Sequence, residues 1–340
     1  MRNDTNRQVI LTSRPTDIPQ AGHFELRESV VPEIGNGQFL LRNIYLSVDP
    51  AMRGWVSAVA NYSEPVALGS VMRAISVGEV IESRHPDYAA GEVVCGLFGW
   101  QEFALSDGSE VWFKHDPALA PVSTALGVLG INGLTAYFGL LDVGQPKAGE
   151  TVVVSTAAGA VGSAVGQLAK IQGCRTVGIT GSDDKVALCR EAFGYDAAVN
   201  YHADDLDSAL AAACPDGIDV YFDNTAGRIS DAVYRQLNVG ARCAICGTAS
   251  VSSWEPWPDG PRLERHLLVK RARAQGFLLF DFQDRFGEAR TQLARWLNEG
   301  RLSYREDVLD GLEHAPGAIA RLYAGENRGK LLIKLGDAPG

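Results

Sequence analysis

Apolar and polar positions change rhythm along this chain. In the first 120 or so residues, "RQVILTS", "FELRESVV", "QFLLRNIYLSV", "AISVGEVIES" and "EVVCGLFGW" are short runs with period-two or continuous apolar character, separated by Pro, Gly and Asp. That is the pattern of an all-β barrel or sandwich-like module. From about Thr124 the texture differs. "STALGVLGINGLTAYFGLLDVG" has helical length, and "GETVVVS" is a fully apolar strand that runs into a glycine-rich turn. The spacing then predicts a helix from Val161 to Gln172, a strand from Thr176 to Thr180 and a helix from Asp183 to Phe193. A short strand around Ala198, a helix from Leu206 to Ala213, the strand "DVYFDN", a helix after Gly227 and the strand "ARCAICG" follow. Strands alternating with helices imply a parallel, doubly wound sheet with right-handed crossovers. From about Gly300, "LSYREDVL", a short helix from Ala315 to Tyr323 and "GKLLIKL" return to β-rich character. The expected fold class is therefore α/β. Residues 1–123 and 300–340 form a β-rich domain, and residues 124–299 form a doubly wound one.

Composition narrows this picture. A chain of 340 residues is long enough for two packed cores, and 46% hydrophobic with 21% charged residues is ordinary for a globular protein in water. No apolar run approaches the roughly 20 residues that span a bilayer, and residues 1–10 lack the basic-then-apolar order of a signal peptide. A cytoplasmic location and no membrane partner are expected. The net charge of -10 argues against nucleic acid, since phosphate binding needs clustered Lys and Arg. The cysteines are scattered like free thiols in a reducing compartment. Cys243 and Cys246 form a C-x-x-C, but in a strand positions i and i+3 face opposite sides, so two structural thiols are expected there.

The chemistry concentrates in "VVVSTAAGAVGSAVGQLAKIQGCRTVGITGSDDK". A dinucleotide turn needs a sharp exit from its strand, close backbone approach to a pyrophosphate, and tight helix–sheet packing. Gly159 and Gly162 meet the last two needs. Ala157 replaces the first glycine of the fingerprint and is tolerated if its backbone angles are ordinary. The pyrophosphate is expected on the N–H groups near Ala160 to Ser163. The bland alternative is a tight strand–helix turn that binds no nucleotide. No carboxylate ends the next strand; Gly181, Ser182 and then Lys185 stand there. Small residues leave room for a 2'-phosphate, a hydroxyl can donate to it, and an ammonium can pair with it, so NADP is favoured over NAD. Lys185 as a plain solvated residue is the alternative.

Several stretches together carry a family resemblance: "IYLSVDPAMRG", "VGEVIESRHPDY", "LGVLGINGLTAYFGLLDVGQPKAGETVVVS", "AAGAVGSAVGQLAKIQGCR", "DGIDVYFDNTAG", "CAICG", "QGFLL", "YREDVLDGLEHAP" and "GENRGKLLIK". Over nearly its whole length the chain resembles the zinc-independent medium-chain dehydrogenase/reductase superfamily. Within it, the chain is similar to the prostaglandin reductase group of alkenal and enone reductases, the bacterial NADPH-dependent curcumin reductases most of all.

The resemblance implies a GroES-like β-rich catalytic domain, a Rossmann cofactor domain, and a cleft between them for NADP(H) and a small-molecule substrate. It implies cofactor contacts from Ala158, Gly159, Val161 and Gly162, from Lys185 and Tyr201 at the 2'-phosphoadenosine, and from Asn224. Cys246, Gly247, Phe277, Leu279 and Asn327 match positions around the ribose and nicotinamide. Tyr62 matches the hydroxyl donor of such reductases, while Arg53 and Asp49 are expected to shape the cleft.

Asn132, Ser252, Trp254 and Phe280 are expected at the substrate. There the chain departs from its group, with Ile131-Asn132 for Met-Pro, Ser252 for a Tyr, and Ala51 for another Tyr. A roomier pocket suited to bulky or aromatic enones is expected. No metal is expected, because the Cys and Gly-His-Glu of zinc alcohol dehydrogenases are replaced by "SVDPAMRG" and "ALGSVM".

The implied reaction is NADPH-dependent reduction of the C=C bond of α,β-unsaturated ketones and aldehydes. Hydride goes to the β-carbon, the enolate is stabilised by Tyr62 and a cofactor ribose hydroxyl, and a proton goes to the α-carbon. A quinone reductase, or a nucleotide-binding structural protein of the same fold, are the alternatives. The resemblance also implies a homodimer through the edge of the Rossmann sheet.

Overall fold

The computed structural model describes residues 5–59, 62–202, 205–251, 256 and 258–337. The chain divides into two compact units, Met1–Leu126 with Glu306–Gly340, and Gly127–Arg305.

The first unit is β-rich. Strands β1 (Thr5–Leu11) and β2 (Phe24–Val30) form an antiparallel pair. Strands β3 (Phe39–Ser47), β4 (Ser76–Ser83), β5 (Val93–Gly96), β6 (Phe103–Ser106) and β7 (Val111–His115) belong to a second sheet, and the short helix α1 (Met52–Trp55) follows β3. β3 is buried on both faces, with Phe39, Leu41, Val80, Val94, Phe98 and Ala104 packed together, and Leu40 set against Val31, Ile34 and Phe103. The side-chain amide of Asn6 bridges to β6, donating to the Phe103 carbonyl (2.9 Å) and accepting from its N–H (3.0 Å).

The second unit begins where one long helix was expected, and the structure differs. A 3-10 turn over Val122–Leu126 ends in the first unit, and helix α2 starts only at Ile131 (Ile131–Phe138). The reason is a close approach: a Cβ on Gly133 would lie 1.8 Å from the Val128 carbonyl oxygen, so the segment folds back on itself. α2 then widens into a π-helical turn over Gly139–Gly144.

Next come β8 (Thr151–Ser155), α3 (Ala160–Ile171), β9 (Arg175–Thr180), α4 (Asp183–Glu191), β10 (Ala197–Asn200) and α5 (Leu206–Ala213). Then follow β11 (Ile218–Asp223), α6 (Gly227–Arg235), β12 (Leu237–Ile245), α7 (Glu264–Lys270), β13 (Arg273–Gly276) and α8 (Phe286–Asn298). The six strands are all parallel, in the order β10-β9-β8-β11-β12-β13. The run "TVVVS" of β8 is wholly buried because helices cover both faces of such a sheet. Strand order reverses between β8 and β11, which makes the C-terminal ends of these two strands the switch point where ligands bind in open α/β sheets.

The chain then returns to the first unit with β14 (Glu306–Asp310), α9 (Ala315–Tyr323) and β15 (Lys330–Lys334), giving that sheet the order β14-β15-β3-β4-β5-β7 with β6 against β3. The fold is thus a β-rich unit with a parallel Rossmann-type unit.

A buried ion pair fastens the returning strand. Lys330 donates to Asp49 Oδ1 (2.6 Å), to Ser47 Oγ (2.6 Å) and to the Val48 carbonyl (3.1 Å), while the Ser47 hydroxyl donates to Asp49. Both charged side chains are about 95% shielded, and all three ammonium protons find acceptors. Lys330→Met should destabilise the protein by about 3–5 kcal/mol, the usual result of stranding one buried charge. Calorimetric melting checks this, and Lys330→Met with Asp49→Asn should recover part of the loss.

Candidate active site

The turn after β8 is built by two compensations. Thr156 takes φ +55°, a left-handed conformation that a β-branched residue rarely adopts, and so supplies the sharp exit one position before Ala157. Ala157 keeps an ordinary φ and is fully buried. Its methyl fits because the neighbouring strand carries Gly178, where a Cβ would sit 2.7 Å from it.

Gly159 ends the turn as the residue before α3, accepting from Ser163 N–H (2.9 Å). A Cβ on Gly162 would lie 2.3 Å from the Thr156 carbonyl and 2.9 Å from Ala157 Cα. The start of α3 therefore touches the strand end backbone to backbone. Tyr195 locks it there, its ring lying where a Cβ on Gly166 would be and its hydroxyl donating to the Gly162 carbonyl (2.6 Å). The first N–H groups of α3, from Ala160 to Gly162, are left for a ligand or water. Ala158, Gly159, Val161 and Gly162 thus line one cradle.

Gly181, Ser182, Lys185 and Tyr201 are also brought together. Ser182 caps α4, its hydroxyl accepting from Lys185 N–H (3.3 Å), which leaves the hydroxyl proton available for donation. The Tyr201 hydroxyl stands 2.9 Å from where a Cβ on Gly181 would be, so a side chain there would push the phenol aside. Lys185 lies half-buried in the first turn of α4. Asp183 is engaged by the Asn200 amide (2.9 Å). The sequence reading did not single out Arg228, which reaches the Tyr201 carbonyl (3.4 Å) and adds a second cation to this end.

At the switch point one missed carboxylate organises the strand ends. Asp223 is buried, and its Oδ1 accepts from Thr225 N–H (2.9 Å), Ala226 N–H (2.8 Å) and the Tyr221 hydroxyl (3.1 Å), its Oδ2 from Ser230 (2.6 Å). Its main-chain carbonyl accepts from the N–H groups of Cys246 (2.8 Å) and Gly247 (3.1 Å). Asn224 reaches across to β8, donating from its amide to the Ser155 carbonyl (2.7 Å) and from its N–H to the Ser155 hydroxyl (2.8 Å). Asn224, Cys246 and Gly247 are thereby held at the ends of β11 and β12. Burial, with Asp223 nearby, pushes the Cys243 and Cys246 thiols up to about 12, so neither is a thiolate at neutral pH. All six cysteines are free.

Phe277 packs edge-on to Phe222 (6.1 Å), both rings closing over Gly139. Leu279 is buried and Phe280 half-buried at the start of the following 3-10 segment. Asn132 is buried on α2, and its Oδ1 has no hydrogen-bond partner among the described residues. Ser252 and Trp254 lie outside the described residues.

The β-rich unit carries the other three candidates. Tyr62 is about half exposed, on the loop after α1. Arg53 is buried within α1, 3.5 Å from Asp17, with its guanidinium over the Tyr323 ring (5.6 Å). Tyr323 donates to the Pro50 carbonyl (3.1 Å). Burial raises the pKa of the Tyr323 phenol above its ordinary value, while Arg53 opposes the rise and Tyr62 adds to it. Asn327 is buried, its amide donating to the Gly329 carbonyl (2.7 Å). Among the described residues no three His, Cys, Asp or Glu side chains are grouped as ligands of a metal ion, and no helix is long and apolar enough to cross a membrane.

Residues 7–113 match the family described as N-terminal domain of oxidoreductase, and residues 160–295 the family described as zinc-binding dehydrogenase. The NADPH-dependent curcumin reductase of Escherichia coli is 44% identical over 335 residues, which covers 97% of each chain. The chain belongs to the medium-chain dehydrogenase/reductase family, in the group of the curcumin reductases. The NADP(+)-dependent 2-alkenal reductase of Nicotiana tabacum is 39% identical over 335 residues, again 97% of each chain. The crystal structure of CurA in complex with NADPH from Vibrio vulnificus aligns with a TM-score of 0.92 at 42% identity, covering 97% of this chain and 99% of that one. Membership accounts for the pairing of a β-rich unit with a Rossmann-type sheet.

The turn can be tested by its compensation. Gly178→Ala should cost about 1–3 kcal/mol by overpacking against Ala157, and Ala157→Gly in the same chain should restore most of it. Denaturant midpoints of the four proteins in this cycle give the coupling; simple additivity would mean that the two sites do not share the space.

Proposed function

We propose that this protein reduces the C=C bond of α,β-unsaturated ketones and aldehydes, with Tyr62 as the hydrogen-bond donor to the carbonyl oxygen and without zinc. The protein is an NADP-dependent oxidoreductase of the double-bond-reducing group. The observation that carries the reading is identity of about two residues in five, over nearly the whole chain, to reductases named for curcumin and 2-alkenals.

The residues present fit NADP(H). Gly159 and Gly162 leave a backbone cradle that a side chain would fill. Ser182, Lys185 and Arg228 offer a hydroxyl and two cations where an NAD site would place an acid. Bound there, the cofactor supplies the hydride. Lys185 and Ser182 would hold its 2'-phosphate, and the N–H groups at the start of α3 its pyrophosphate.

Tyr62 donates its phenolic proton in a hydrogen bond to the substrate carbonyl, drawing charge onto oxygen as the β-carbon accepts hydride. The same bond stabilises the enolate, which is worth most where water is scarce. Protonation at the α-carbon from a hydroxyl or water completes the reduction. The absence of the zinc-ligand residues from "SVDPAMRG" and "ALGSVM" supports a metal-free route.

We also infer a symmetric homodimer. β13 is the edge strand of the parallel sheet, and Leu268, Val269 and Leu278 around it are exposed.

Loss of reduced-nicotinamide absorbance with enones, enals and quinones tests the substrate class; turnover on quinones alone would overturn it. Tyr62→Phe should lower kcat by roughly 100-fold, the cost of one such donor, with NADPH affinity unchanged. Lys185→Ala should weaken NADPH binding about tenfold or more in a fluorescence titration and leave NADH binding unaltered. Equal losses for both cofactors would remove Lys185 from the 2'-phosphate.

A further inference from the structure

The loop that carries Tyr62 leaves the C-terminal end of α1 and rejoins the body of the β-rich unit at Val66, whose N–H donates to the Trp55 carbonyl (2.8 Å). A second attachment lies between these points and comes from a distant position. Arg73 Nη1 donates to the Glu64 carbonyl (2.9 Å) and lies 3.4 Å from the Ser63 hydroxyl. The centre of its guanidinium stands over the Trp55 ring at 5.8 Å. Trp55 itself is only 3% exposed, and it sits in the same short helix as Arg53.

We propose that Arg73 is a positioning residue for Tyr62, strapping Ser63 and Glu64 to the buried Trp55 so that the phenol is presented in one place. This deepens the proposed function and rests on the reading of Tyr62 as donor.

The physical argument has three parts. Adjacent Cα atoms are separated by a fixed ~3.8 Å, so pinning the Glu64 carbonyl, with the Ser63 hydroxyl alongside, limits where the Cα of Tyr62 can lie. The anchor is rigid at its far end because Trp55 is closed into the core, and the guanidinium centre lies over its ring, where a cation is attracted to the indole face. Finally, a hydrogen-bond donor acts at full strength only within about 0.5 Å of its productive place, and a displacement of about 1 Å can cost up to 100-fold in rate. A lysine at this position keeps a cation and a donor for the Glu64 carbonyl, but it lacks the planar fork of the guanidinium.

The test is a double-mutant cycle on the full-length enzyme with NADPH and an enone, with kcat, KM and NADPH affinity measured separately. Arg73→Met keeps the apolar stem against Trp55 and removes every donor, so the fold survives if Arg73→Ala does not. The expected result is a fall in kcat of roughly tenfold with NADPH affinity and melting temperature nearly unchanged, and partial recovery in Arg73→Lys. In the Tyr62→Phe background the same Arg73→Met change should have little further effect, because the group that it positions is gone. An equal fall in both backgrounds would overturn the proposal, as would a loss confined to stability or NADPH affinity. Unchanged kcat in Arg73→Met, alongside a fall in Tyr62→Phe, would overturn the strap and leave the donor intact. Unchanged kcat in Tyr62→Phe would overturn both readings.

Discussion

The contact of the α3 start with the end of β8 is the constraint on which the cofactor unit depends. At Gly162 the helix backbone meets the Thr156 carbonyl at a distance that admits no side chain. To deliver the chain there, Thr156 accepts a left-handed conformation that costs an L-residue about 1–2 kcal/mol. The cost is offset by packing that the close approach alone makes possible. Tyr195 slides into the spaces left by Gly166 and bonds the Gly162 carbonyl, and the Ala157 methyl seats against Gly178. Strain at the turn and glycines in its neighbours are therefore one design. The result is a turn at which the first N–H groups of α3 have no acceptor within the helix.

Asp223 extends that order across the sheet. The strand order reverses between β8 and β11, and at such a point a sheet has a gap at its carboxyl edge. Asp223 and Asn224 close the framework around the gap by tying the ends of β8, β11 and β12 with hydrogen bonds to main-chain and hydroxyl groups. A fully satisfied buried carboxylate is a strong organiser, since each missing partner would leave a desolvated charge. It also holds Ala226 at φ +59°, a second strained residue beside the same edge. Strain of this kind concentrates where a site must be shaped in advance.

The β-rich unit solves a related problem by different means. The loop that carries Tyr62 follows a helix of only four residues, and side chains from far along the chain fix the segment around it. Lys330 holds Asp49 just before α1, Tyr323 holds the Pro50 carbonyl and underlies Arg53, and Arg73 straps the residues after Tyr62 to Trp55. These contacts bracket the four-residue helix that carries Arg53 and Trp55.

Much of this was legible without coordinates. The wholly apolar "TVVVS", the glycines after it and the alternation of strands with helices determine a parallel sheet with a dinucleotide turn, because periodicity and glycine placement are local signals. The small residues and Lys185 at the end of β9 are what led to the expectation of NADP(H), by residue type alone. The break before α2 was not legible, because it depends on Gly133 meeting Val128 in a folded-back segment. Nor was the reason that Ala157 is harmless: its partner Gly178 lies on another strand. Asp223 and Arg73 gave no motif, since their roles consist of partners at the ends of other elements. Asp49 and Lys330 are 281 positions apart, and no window of sequence holds both. The sequence by itself determined most of the elements, the family and NADP(H) as the cofactor, all of which follow from local pattern and residue type. The tertiary structure alone decided which side chains fix the turn and the Tyr62 loop in place, because a hydrogen bond or a shared space is defined by distance in three dimensions.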